Sequence, residues 1–178
     1  LKFPIGKYKA ILDFNFSRTI ENIKTLESFS DDLRKSVKGL DKTDLKKSYR
    51  NGGMNIAQII HHFCDTHTYA FLRTKHTLLE DNPNVKMYDV AEFLTTPDSN
   101  VLDVKDSLNV IEGIHAKWVS LLKTLSENDL KKTYYHSSRD KNIILHEHVG
   151  MYAWHTKHHI MHIEIAKKNI KQSGKRNK

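Results

Sequence analysis

Apolar residues recur along most of this chain at three- and four-residue steps, the mark of amphipathic helices. Ile20, Ile23, Leu26, Phe29, Leu33 and Val37 trace one such face and predict a helix over Ser17–Leu40. Ile56, Ile60, Phe63, Ala70 and Leu78 trace a second, ending near Leu79. Its start is marked by Asn55 as N-cap, with Gln58 three residues on completing a capping-box pattern after Gly52-Gly53. Leu108, Ile111, Trp118, Leu122 and Leu125 predict a third helix from about Val104 to Leu125. A fourth is predicted from about Asn142 to Ile170. No alternating strand pattern of useful length and no internal repeat is visible.

A long connection, Glu80 to Asp103 with Pro83 and Pro97, separates the second helix from the third. Connections of this length are uncommon unless they are functional or cross the fold. The expected fold class is therefore all-α, a four-helix bundle with a long crossover between helices two and three. Residues 1–170 form one domain in this reading, and the basic stretch 171–178 is expected to be a disordered tail.

The length of 178 residues suits one domain with a sizeable core. A single cysteine, Cys64, excludes an intrachain disulfide and fits a reducing compartment. The opening Leu1-Lys2-Phe3-Pro4-Ile5-Gly6 shows no basic region followed by a long apolar stretch, and no apolar run approaches the ~20 residues that span a bilayer. A soluble, cytoplasmic protein with no membrane partner is the expectation. The net charge of +8 raises one competing reading, a non-catalytic nucleic-acid-binding bundle. No recognised nucleic-acid motif supports it, and lysine-rich runs of this kind usually form a solvated face.

Twelve histidines change the picture, six of them between His146 and His162. A helix advances about 100° per residue. That count puts Ile144, His148, Tyr152, His155, His159, His162 and Ala166 on one face of helix four. Buried imidazoles without partners cost roughly 1–3 kcal/mol each, and a divalent metal removes the cost by taking their lone pairs. His155 and His159 are four apart and reach one ion from one face. His158 flanks them; spacing alone also allows His158 with His162. On helix two, His61 and His62 point about 100° apart, so they are poorly placed to share an ion. His62 lies on a polar stripe with Thr66, Tyr69 and Arg73 and is the better third ligand. Asp65 is placed to orient a ring nitrogen or bind a substrate. His67 and, on helix three, His115 fall on core faces, either as groups behind the metal or as buried structural histidines. Trp118 and Trp154 read as core packing, and Cys64 as a structural residue with no activating setting.

The sequence resembles the DinB-like superfamily, and within it the YfiT type. The resemblance is carried by Phe3-Pro4-Ile5-Gly6-Lys7, His61-His62-Phe63-Cys64-Asp65-Thr66-His67, Leu72-Arg73 with Lys75, Leu79-Glu80-Asp81-Asn82-Pro83 and His115-Ala116-Lys117-Trp118-Val119. Its strongest element is Tyr152-Ala153-Trp154-His155-Thr156-Lys157-His158-His159-Ile160-Met161-His162-Ile163. It implies a homodimeric four-helix bundle with a three-histidine metal site at His62, His155 and His159. It also implies either a metal-dependent hydrolase or an S-transferase using a low-molecular-weight thiol such as bacillithiol, mycothiol or glutathione. The chain departs from the family at Met54-Asn55, where Trp-Thr is usual, and over His136 to Asn142, which lacks the usual acidic and glycine pattern.

Three neutral imidazoles leave an open coordination position, suited to zinc or nickel. One divalent ion per chain would ionise a thiol for attack on an electrophilic carbon, or activate water for hydrolysis. In the first case Arg73 and nearby lysines are candidates to hold the carboxylates of an anionic thiol. In the second, Asp65 is the carboxylate nearest in sequence to act as base. His67, Tyr69, His115, Tyr152, His158 and His162 complete the candidate surroundings of the site.

Overall fold

The computed structural model describes residues 2–176, with side chains as far as Asn169. In chain order its helices are α1 (Phe16–Val37), the single-turn α2 (Lys42–Leu45), α3 (Ile56–Leu79), the single-turn α4 (Val90–Phe93), α5 (Lys105–Leu122), the single-turn α6 (Glu127–Leu130) and α7 (Leu145–Arg176). The four long helices form a four-helix bundle. α1 packs against α5 and α7, and α3 packs against the same two. The first and second long helices, α1 and α3, therefore face each other across one diagonal, and the third and fourth, α5 and α7, across the other. The helical backbone of α7 reaches Arg176. The tail expected over 171–178 lies beyond the described side chains, and its last two residues lie outside the described chain.

The sequence signals act where they were expected. Asn55 Oδ1 accepts from the Gln58 amide at 2.8 Å, and Gln58 Oε1 accepts from the Asn55 amide at 3.1 Å. This closed capping box fixes where α3 starts, and so which residues of α3 face α7. α1 ends at Val37 rather than Leu40, because Gly39 takes a left-handed φ of +80° that turns the chain.

One expectation fails. Two short strands, β1 (Thr133–His136) and β2 (Lys141–Ile144), pair antiparallel, so residues 142–144 belong to a hairpin and not to the start of α7. The hairpin holds the crossover in place: the Tyr135 amide donates to Pro83 O at 2.9 Å, and the Val85 amide to Tyr135 O at 3.4 Å. Tyr134, fully buried, donates its hydroxyl to His148 Nδ1 at 2.9 Å, and His148 Nε2 donates to Ala70 O at 3.2 Å.

The core has two apolar clusters. One contains Phe29, Leu33, Ile56, Ile60, Phe63 and Ile111; the other contains Ile23, Leu26, Trp118, Leu122 and Val149. Burial of each such side chain contributes about 1.5–3 kcal/mol. Trp118 packs as expected, fully buried, with Nε1 donating to Thr74 Oγ1 at 3.0 Å. Where the two clusters meet lies a belt of imidazoles. His67 contacts Phe29 and Phe63 on one side and Trp118 on the other. Among the described residues, no helix is long and apolar enough to cross a membrane.

Burial holds His148 down to about 3 and His115 down to about 4, so both are neutral in the fold. Unfolding frees them to take protons near their ordinary value of about 6.5. Their contribution to stability is therefore complete above pH 6.5 and lost as pH falls through that window towards 3–4. Each adds up to about 1.4 kcal/mol per pH unit to the slope. Denaturant titrations of the metal-free protein are expected to show stability falling steeply between pH 6.5 and 4. A flat profile there would contradict the burial of neutral rings.

Candidate metal centre

The site is built by one face of α3 and one face of α7. The Asn55 cap puts His62, Thr66 and Arg73 on the α3 face that meets α7. On α7, His155 and His159 stand one turn apart. The structure brings these three histidines together: their ligand atoms all lie within 4.8 Å of one another. His62 Nε2 and His155 Nε2 are 3.1 Å apart, and the His159 ring centroid is 5.0 Å from that of His62 and 4.6 Å from that of His155. Two nitrogens each about 2.0–2.1 Å from one zinc ion, at an angle of roughly 100°, are separated by this same 3.1 Å. His62 and His159 are buried, and His155 keeps part of its ring accessible.

The nitrogens turned away from the centre are all engaged, which fixes the protons. His115 Nδ1 lies 2.8 Å from the Leu26 carbonyl, an oxygen that only accepts, so Nδ1–H donates. His115 Nε2 is then bare and accepts from His67 Nδ1–H at 2.7 Å. His67 Nε2 is bare in turn and accepts from His155 Nδ1–H at 3.1 Å. The chain ends with the bare Nε2 of His155 aimed at the centre. A single carbonyl thus dictates three tautomers in series and leaves a lone pair where a metal needs one. His62 Nδ1 meets Thr66 Oγ1 at 3.2 Å, and Thr66 is hydrogen-bonded to the Tyr88 hydroxyl from the crossover. His159 Nδ1 pairs with His162 Nδ1 at 3.2 Å. Phe63 sets the ring planes, standing edge-on to His67, His155 and His159 at 5.3–5.5 Å.

Electrostatics fit the same role. Burial lowers His62 to about 4. Burial first, and neighbouring imidazoles second, hold His67, His155 and His159 well below their ordinary value. The ligand nitrogens are therefore free of protons at neutral pH. The donor set, its separation and its tautomers all fit a divalent ion.

The other candidates are distributed around this centre. His67 and His115 form the relay behind His155, and His162 stands behind His159. Tyr152 lines the cleft above the histidines and takes a hydrogen bond from Arg73 Nη1 at 3.3 Å. Arg73 also lines the cleft and is only 4% exposed. Tyr69 stacks behind Tyr88 with ring centroids 4.5 Å apart. His158 stacks on Trp154 at 4.4 Å. His158 also groups with His159 and His162 within 4.8 Å, but His159 Nδ1 is already committed to His162. Asp65 is not brought to the cleft. Burial and Asp98 raise its pKa, His61 offsets them, and Thr66 takes the place at His62 Nδ1 that Asp65 was a candidate for. His61 faces away as predicted, binding Ser107 Oγ and the Val101 carbonyl at 2.8 and 3.0 Å. Cys64 is a free thiol whose pKa is raised by burial, which suits a structural role. Trp154 is a cleft wall more than a core residue, being partly exposed.

The cleft above the centre encloses about 240 Å³. Its lining includes residues that sequence reasoning passed over: Tyr8, Met87, Tyr88, His136 and Arg139. No carboxylate lines it among the described residues. His136 and Arg139 come from the hairpin region, and the signal for that region was present. Thr133-Tyr134-Tyr135 and Asn142-Ile143-Ile144 are short strand-forming runs around a polar turn, Ser137 to Asp140.

A diagonal four-helix bundle that converges three imidazoles from two helices, two of them buried and one partly accessible, beneath a crossover defines a class of small helical proteins with an open three-histidine centre. The chain belongs to the DinB superfamily, whose profile matches residues 25–163. A relative from Oceanobacillus iheyensis is 38% identical over 164 residues, covering 91% of this chain and 93% of its own. One from Geobacillus kaustophilus is 34% identical over 168 residues, covering 94% of each. YfiT of Bacillus subtilis is 32% identical over 163 residues, covering 92% of each. All three carry the provisional name of metal-dependent hydrolase. The solved structure of YfiT, described as an unusual four-helix bundle topology, superposes with a TM-score of 0.90 over 94% of this chain and 96% of that one.

The relay makes a graded prediction. His62→Ala removes a ligand and is expected to abolish stoichiometric metal binding. His67→Leu keeps all three ligands but releases His155 from its orienting partner, and is expected to weaken metal affinity about 10–100-fold. Competition titration against a chromophoric chelator measures both. Wild-type affinity in His67→Leu would show that the relay does not orient His155.

Proposed function

We propose that this protein is a metal-dependent enzyme that transfers a low-molecular-weight thiol to an electrophilic carbon, with His62, His155 and His159 holding one divalent ion. A divalent ion in that position supplies positive charge that lowers the pKa of a thiol or a water molecule into the neutral range. The single observation that carries the choice of transfer over hydrolysis is the lining of the cleft, which contains no carboxylate among the described residues. Metal centres that hydrolyse amides commonly place a carboxylate beside the metal as general base. A thiol ionises without one and is itself the nucleophile.

The chain's own residues have definite parts in this reading. Three neutral imidazoles hold the ion without neutralising its charge. The relay from the Leu26 carbonyl keeps the His155 lone pair in place. The crossover, through Met87, Tyr88 and Val90, narrows access for water. In the overall reaction the thiol S–H proton passes to solvent, a carbon–sulfur bond forms, and the bond from carbon to the leaving group breaks with its electron pair leaving on that group.

Hydrolysis remains the second reading because the relatives carry that name. The same centre would act on water, with His136 as a group in the cleft whose Nδ1 is uncommitted among the described residues.

One assay separates them. Protein loaded with zinc or nickel is incubated with bacillithiol and a chloro-substituted fluorogenic electrophile, and in parallel with 4-nitrophenyl acetate. Metal-dependent conjugation that falls at least 100-fold in His155→Ala is the expected result. Metal-dependent ester cleavage without conjugation of bacillithiol, mycothiol or glutathione would overturn transfer in favour of hydrolysis.

A further inference from the structure

The cleft holds a positive charge with no counter-ion. Arg73 is 4% exposed, yet among the described residues it makes no ion pair. Buried arginines are ordinarily paired, because a buried charge without compensation is costly. The contacts Arg73 has are weak substitutes. Nη1 reaches the Tyr152 hydroxyl and Nη2 the Lys86 carbonyl, both at 3.3 Å, and the guanidinium lies 5.5 Å over the Tyr69 ring. Its Nε is buried with no partner.

Two further groups in the same cleft are also poorly satisfied. His136 is 5% exposed, and its Nδ1 has no partner. Arg139 directs Nη1 at the Met151 sulfur, a poor acceptor, at 3.5 Å. Arg73, Arg139 and His136 all line the cleft that contains His62 and His155. They stand close to one another: after burial, Arg139 and Arg73 are the largest influences lowering the His136 pKa.

We propose that Arg73, Arg139 and His136 form an oxyanion subsite, so that the substrate class is a molecule carrying a carboxylate or phosphate several bonds from its reacting group. This deepens the reading above and rests on it for the identity of the reacting end. A guanidinium fork with unfilled donors matches either oxyanion, and the absence of any carboxylate in the lining leaves the charge for a ligand to neutralise. Arg73 lies about three turns beyond His62 on nearly the same face of α3, and its guanidinium reaches back to the Tyr152 hydroxyl, whose ring centroid is 5.9 Å from that of His155. An anion held at Arg73 therefore belongs to a molecule whose other end lies at the three histidines. The pocket selects for charge at one end and reactivity at the other.

The test is equilibrium binding by titration calorimetry, on zinc-free and zinc-loaded protein, with three probes: glutarate, its neutral isostere glutaramide, and orthophosphate. Glutarate or orthophosphate is expected to bind zinc-free wild type at least tenfold more tightly than glutaramide. The tighter of the two anions identifies the group the subsite prefers. Arg73→Gln is expected to lower anion affinity at least tenfold while zinc stoichiometry and glutaramide binding stay unchanged. Arg139→Gln, a substitution at an exposed position that does not threaten folding, is expected to lower it severalfold and decides the matter if Arg73→Gln does not fold. Equal binding of all three probes to wild type, or anion binding that needs zinc and ignores both substitutions, would overturn the subsite. Zinc stoichiometry is read in the same experiment, so loss of the metal reading is seen separately from loss of the anion reading.

Discussion

An imidazole buried in a helical core must be neutral, and each of its two nitrogens needs a suitable neighbour. This chain places a belt of such rings where a bundle would ordinarily place aliphatic side chains, and the rest of its architecture follows from satisfying them. The solution runs in one direction. A backbone carbonyl on α1 fixes His115, His115 fixes His67, and His67 fixes His155, whose remaining lone pair emerges at the α3–α7 seam. Side-chain networks of this kind are favourable only when complete, since one unsatisfied member costs about 1–3 kcal/mol. A cation at the open end completes it. The three ligand histidines are therefore one end of a network that runs through the core.

Around that belt the fold divides its labour. Phe29, Phe63 and Trp118 supply apolar burial; Phe29 stacks on His67, while Phe63 and Trp118 stand edge-on to the rings. Placing α1 diagonal to α3 and α5 diagonal to α7 makes α3 and α7 neighbours although some 65 residues separate them in sequence. The intervening chain is used to roof the seam: the crossover brings Tyr88 onto Thr66, and the hairpin pins the crossover while adding His136 and Arg139 to the rim. The resulting cleft is cationic at its rim and imidazole-lined at its base. Those two features are the ones on which the proposed thiol transfer and the proposed anion subsite rest.

Much of this was legible in the sequence because helical periodicity is a local signal. The capping box at Asn55, the four long apolar faces and the i,i+4 spacing of His155 and His159 each depend on residues within a few turns of one another. The choice of His62 over His61 was also local, since 100° between adjacent residues decides which one faces the seam. The partners of His67 and His115 were not legible, because the bond to the Leu26 carbonyl joins residues 89 apart in sequence. The hairpin was passed over because each strand has only four residues and sits against helical sequence on one side. Asp65 shows the limit of counting turns. It lies three residues after His62, yet it is not part of the cleft lining, while Thr66, one residue on, meets the ring. The departure from the family pattern over His136 to Asn142 coincides with the cleft lining, to which His136 and Arg139 belong.

The central claim, that three imidazoles from two helices share one ion, is tested most directly by X-ray absorption at the zinc edge on zinc-loaded protein. The account predicts a first shell of nitrogen and oxygen at about 2.0–2.1 Å, with the multiple-scattering pattern of three imidazole rings. A sulfur shell at about 2.3 Å in protein free of added thiol, or a shell without imidazole scattering, would contradict it.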